Sequence, residues 1–136
     1  MTILVAIDDV ATAEPVIRTA LELGTGLETD LYVVHLIHEE HANADAEAIR
    51  TELAGRLDGE PVEATVALEY INRLGTRTGP RIAHELLEIA ADVDITHIVM
   101  GHETKGIRNR LRNGDVAFEV VDETSVPVTV VPVAES

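Results

Sequence analysis

The sequence predicts a doubly wound α/β protein, with five strands in a mostly parallel sheet and helices on both faces. Three observations carry this reading. Short aliphatic runs alternate with helical patterns along the chain, the signature of successive βαβ units. The strand candidates are mostly unbroken apolar runs, as strands covered on both faces require. Apolar residues make up 46% of the 136 residues and aromatics only 2%, so the core must be built from Val, Ile, Leu and Ala.

The elements follow in order. Ile3 to Ile7 is the first buried strand, closed by Asp8 and Asp9. Val16, Ile17, Ala20, Leu21 and Leu23 recur at helical spacing, with Pro15 tolerated in the first turn and Gly24 and Gly26 expected to stop the helix. Leu31 to Ile37 is the second strand. In the acidic stretch 39–63, Ala46, Ile49, Leu53 and Leu57 mark one face of an amphipathic helix. Val62 to Tyr70 reads as the third strand. Thr78-Gly79-Pro80 opens a helix that carries Ile82, Leu86, Ile89, Ala90 and Val93 on one face. Thr96 to Met100 is the fourth strand, ended by Gly101. Val116 to Val121 is a short helix with Asp115 as its N-cap, and Val126 to Val133 is the last strand. No composition shift or linker divides the chain, so residues 1–136 are read as a single domain.

Charge and composition exclude several classes. Against 10 Lys+Arg stand 25 Asp+Glu, a net charge of −15, which argues against electrostatic binding to nucleic acid or anionic lipid. Lys105 is the only lysine, and the excess of acid over Lys suits a surface kept solvated at high salt, as in a halophilic source. There is no cysteine, which removes disulfides, thiolate metal sites and thiol nucleophiles. No apolar run is long enough for a membrane span, and no basic segment precedes Ile3 as a signal peptide would need. A cytoplasmic location is expected.

If the strand order is 3-2-1-4-5, the order reverses between the first and fourth strands. Ligands of such sheets bind beyond the carboxyl ends of the strands at that reversal. The turns starting at Asp8 and Gly101 would then share one crevice. Lys105, Arg108, Arg110 and Arg112 cluster in the segment after Gly101, and no acid occurs from Thr104 to Gly114. In so acidic a chain this is a local reversal of field, suited to phosphate. The competing reading is that these bases neutralise acidic helices nearby. On placement alone, Asp8 would cap a helix beginning near Ala11.

Six segments stand out together: Ile3-Leu4-Val5-Ala6-Ile7-Asp8, Val33-Val34-His35-Leu36, Gly79-Pro80, Ile98-Val99-Met100-Gly101, Gly114 with Val116-Ala117, and Val126-Pro127-Val128-Thr129-Val130-Val131-Pro132. Their combined pattern resembles the universal stress protein family. The resemblance runs the whole length. It implies a Rossmann-like three-layer sandwich of the adenine nucleotide alpha hydrolase-like type, with strand order 3-2-1-4-5, in a small dimeric stress-response protein. It also implies an adenine-nucleotide site, for ATP or AMP with Mg²⁺, at Ala6, Ile7, Asp8, Ile37, Met100, Gly101, His102, Lys105, Arg108, Gly114, Asp115 and Val116. Homodimerisation would use the C-terminal strand through Val128, Val130, Val131 and Val133.

The match departs from the family's Gly-x2-Gly-x9-Gly-Ser/Thr phosphate motif at two places. Thr104 stands at the second glycine and Asp115 at the final hydroxyl residue, while Glu103 adds a carboxylate beside the turn. Two like charges in contact repel by roughly 4 kcal/mol at an effective dielectric of about 20. A bound Mg²⁺ would turn Asp115 from a repeller into a ligand. A nucleotide-free dimeric scaffold with a degenerate phosphate loop is therefore the alternative.

No catalytic constellation is present. The nucleophile elbow, the P-loop and the dinucleotide glycine fingerprint are all missing from the sequence. Any ATP hydrolysis is expected to be slow and incidental. His35, His38 and His41 are spaced by three, but a strand followed by a turn does not put them on one face, so no metal site is assigned. His35 and His97 are read as strand histidines packed in the interior.

Overall fold

In the computed structural model the described residues are 1–7, 13–38, 44–71, 86–88, 91, 94–103, 120–121 and 123–133. Five strands form one sheet: β1 (Thr2–Ile7), β2 (Asp30–His38), β3 (Ala64–Ile71), β4 (Ile95–Glu103) and β5 (Val128–Val133). Their spatial order is β3-β2-β1-β4-β5, and every neighbouring pair is parallel. This is the architecture the apolar runs predict.

The sheet is buried on both faces because its residues are apolar on both. Ile3, Val5 and Ile7 point to one side, where α1 (Glu14–Leu27) and α2 (Ala44–Leu57) contribute Val16, Ile17, Ala20, Leu53 and Leu57. Leu4 and Ala6 point to the other side, with Val34, Ile98 and Met100, where Leu86 and Val120 from helical residues cover them. The crossover leaving β1 therefore lies on one face, and residue 120, on the crossover from β4 to β5, lies on the other. Right-handed crossovers that run in opposite directions from adjacent strands must do this.

Several boundaries differ from the sequence reading, each for a local reason. Gly24 and Gly26 do not stop α1, which runs on to Leu27. The helix ends instead at Glu28, a non-glycine residue in the left-handed region (φ 53°). There the Thr29 amide donates to the Gly24 carbonyl at 2.9 Å. Gly24 is buried, and a side-chain carbon there would lie 3.0 Å from the Thr29 carbonyl oxygen. This glycine permits the tight turn below the helix rather than ending the helix. At its other end α1 starts at Glu14, not near Ala11; Ala13 is the N-cap, and among the described residues no side chain caps it.

β3 and β5 each begin two residues later than the apolar runs suggest, β5 directly after Pro127. Proline has no N–H for a ladder, so it suits the approach to a strand. The Pro127 carbonyl still accepts from the Ile98 amide at 3.0 Å. Gly101 does not end β4, which continues to Glu103 alongside Val133 of β5. Of the third amphipathic pattern, Leu86 is buried and residues 86–88 are helical. Its start at Thr78-Gly79-Pro80 lies outside the described residues.

Candidate functional site

The carboxyl ends of the strands are uneven, and the unevenness makes a notch. Ile7, the last residue of β1, is level with His35 on β2, and Ala6 is level with Met100 on β4. β2 then continues to His38 alongside β3, and β4 continues to Glu103 alongside β5. The end of β1 is thus the floor between two longer walls, residues 36–38 and residues 101–103. This is also the point where strand order reverses, where doubly wound sheets receive ligands.

The structure brings part of the expected site to this notch. Ala6, Ile7 and Met100 form its floor, but their side chains are buried in the two cores. What they offer the notch is therefore backbone, not side chains. Ile37 and His102 lie in the two walls as strand residues. Gly101 is half-buried in the β4 wall. Asp8, Lys105, Arg108, Gly114, Asp115 and Val116 lie outside the described residues, as do Arg110 and Arg112 of the basic cluster.

The face that Gly101 turns inward was not foreseen. A side-chain carbon at this position would lie 3.1 Å from Cγ2 of Val16 and 3.4 Å from Cγ1 of Val133. Sequence reasoning placed Val16 on the buried side of its helix, but periodicity alone could not show which strand residue it meets.

Electrostatics near the start of α1 is set by an ion pair. Arg56 of α2 grips Glu14 with Nε 2.8 Å from Oε1 and Nη2 2.8 Å from Oε2. Its Nη1 also donates to Glu60 at 3.2 Å. These hydrogen bonds from Arg56 hold the Glu14 carboxyl below its ordinary value, against a smaller opposing effect of burial. Glu14 also sits in the first turn of its helix, where a negative charge is favoured.

The histidines divide as follows. His35 is buried at 6% exposure, level with Ile7. His97 is half-buried, with Nδ1 3.2 Å from the Thr96 hydroxyl. Among the described residues no group of three His, Asp or Glu is placed to hold a metal ion. Among the same residues no helix is long and apolar enough to cross a membrane.

At the other end of the sheet order, β5 pairs with β4 alone among the described strands. Val131 and Val133 are buried beneath α1, whereas Val128 and Val130 are half-buried on the opposite face.

A parallel five-stranded sheet with its order reversing between β1 and β4, and a notch at that reversal, defines a doubly wound α/β protein. A sequence model of the universal stress protein family matches residues 1–132, and the chain belongs to that family. Solved structures agree on the fold. A universal stress protein from Archaeoglobus fulgidus is similar at 24% identity and a TM-score of 0.70, over 96% of this chain and 97% of its own. A universal stress protein from Archaeoglobus fulgidus in complex with dAMP matches at 24% identity and a TM-score of 0.65, over 96% of both chains. A universal stress protein in complex with cAMP matches at 18% identity and a TM-score of 0.72, over 97% of this chain and 96% of its own. No curated protein matches the chain.

Proposed function

We propose that this chain is a small stress-response protein of the cytoplasm that binds an adenine nucleotide in the notch between β1 and β4 and dimerises through β5. The observation that carries the reading is the floor-and-walls geometry at the strand-order reversal. Two structures of the same fold hold adenine nucleotides, dAMP in one and cAMP in the other, which supports the choice of ligand. In this reading Asp8 and Ile37 face the nucleoside. Lys105, Arg108, Gly114 and Val116 hold the phosphates, and ATP enters with Mg²⁺, which relieves the repulsion from Asp115.

The C-terminal strand is the natural seam for a second copy. An edge strand presents backbone N–H and C=O groups that a symmetry mate can pair with.

Calorimetric titration with AMP and with ATP, with and without Mg²⁺ and at high salt, tests the ligand. Heat is expected with at least one nucleotide, reduced by Lys105→Ala or Arg108→Ala. No heat with any of them removes the nucleotide. The nucleotide-free scaffold then stands, a reading that the departures at Thr104 and Asp115 favour. Gain of binding in the Thr104→Gly, Asp115→Ser double variant would support that outcome.

A further inference from the structure

We infer that Gly101 serves the notch as a spacer for α1 and β5, and that Val16 and Val133 are positioning residues for the same site. The inference rests on the nucleotide reading above.

The missing side chain of Gly101 points at protein. A Cβ there would lie 3.1 Å from Val16, closer than the roughly 3.5–4.0 Å of relaxed carbon pairs, and 3.4 Å from Val133, at the edge of ordinary contact. Neither neighbour can step aside easily. Val16 and Val133 are 3% and 4% exposed and belong to the same core. Val16 is also β-branched and sits on a helix, where one rotamer dominates. Three elements therefore close on one hydrogen atom: the β4 wall, the first turn of α1 and the last residue of β5.

That closure sets the shape of the notch. Gly101 is itself the first residue of the β4 wall, so how closely Val16 of α1 and Val133 of β5 pack on it sets where that wall stands. A methyl group at residue 101 would lift α1 or push β4 aside, opening the notch without touching any ligand atom. The contact with Val133 ties the proposed dimer strand to the same point.

The test is calorimetric titration of the full chain with AMP, alongside thermal unfolding. Gly101→Ala is expected to weaken AMP binding by about tenfold, the low end of the cost of overpacking. Adding Val16→Ala to that variant should return the affinity to near the wild-type value by vacating the space the methyl needs. Gly24→Ala is the control. It crowds the far end of the same helix, at 3.0 Å from the Thr29 carbonyl oxygen and 3.1 Å from Leu31, so it should lower Tm and leave AMP affinity unchanged. Should Gly101→Ala fail to fold, Val16→Ile delivers extra bulk from the helix side and must produce the same loss of affinity.

Wild-type affinity in Gly101→Ala, or a loss that Val16→Ala does not rescue, overturns the spacer role while the nucleotide reading stands. An absence of binding to the wild-type chain removes both.

Discussion

Two helices of 14 residues each lie on the same face of the sheet, yet they are anchored very differently. α1 spans β1, β2, β4 and β5, and buries Val16, Ile17, Ala20, Leu21 and Gly24. α2 lies over β3, at the margin, and of its described residues Leu53 and Leu57 are buried, with Ile49 half-buried beside them. The sequence difference is one of stripe width. α1 has apolar residues on adjacent rows of its surface, which suits the middle of a sheet. α2 has a single row set among acids, which suits an edge. The helix over the centre also starts beside the notch, so the best-anchored helix is the one that shapes the candidate site.

The largest expected effect tests that contrast. Ile17→Ala should destabilise the chain by about 3–4 kcal/mol, in the upper part of the range for such truncations, because α1 is held by four strands and cannot collapse onto the cavity. Leu53→Ala, a truncation of comparable size, should cost about 2 kcal/mol, because an outer helix resting on one strand can settle into the space. Urea unfolding at a common m-value measures both. Equal losses, or a larger loss from Leu53→Ala, would mean that α2 is as firmly anchored as α1.

The same contrast explains what the sequence made legible. Elements over or within the middle of the sheet were readable because burial on both sides leaves an unbroken aliphatic run or a wide stripe, as at Ile3 to Ile7 and Val16 to Leu21. Their order followed from alternation and handedness. What could not be read was contact between distant residues. Gly24 and Gly101 look like punctuation in one dimension, yet both are close-packing positions in three, set against the Thr29 carbonyl and Val16 respectively. The left-handed turn at Glu28 carried no signal, since the residue that usually marks it is glycine. For the site, the sequence placed Ala6, Ile7, Met100 and Gly101 at the reversal of strand order. The directions of their side chains were not legible there: three of them face the cores, and the fourth turns its missing side chain to α1 and β5.

The smallest effect concerns the tie between the two helices, where Arg56 of α2 reaches Glu14 at the start of α1. Side-chain exposures of 35% and 52% leave this pair open to water and salt, so it stabilises by less than about 1 kcal/mol. Its pH dependence has a definite sign. The folded state holds the Glu14 carboxyl below its ordinary value through the Arg56 hydrogen bonds. A carboxylate depressed on folding contributes stability that is complete above its unfolded pKa, about 4.3 for Glu, and is lost as pH falls through the lower folded value. Glu14→Gln should therefore lower Tm slightly at neutral pH, and the gap from wild type should close as the pH is taken well below 4.3 or as salt is raised to about 1 M. A gap that persists in acid would mean that the link acts by packing of the arginine stem, not by charge. α2 would then be held to α1 by its apolar row and the side chain of Arg56 alone.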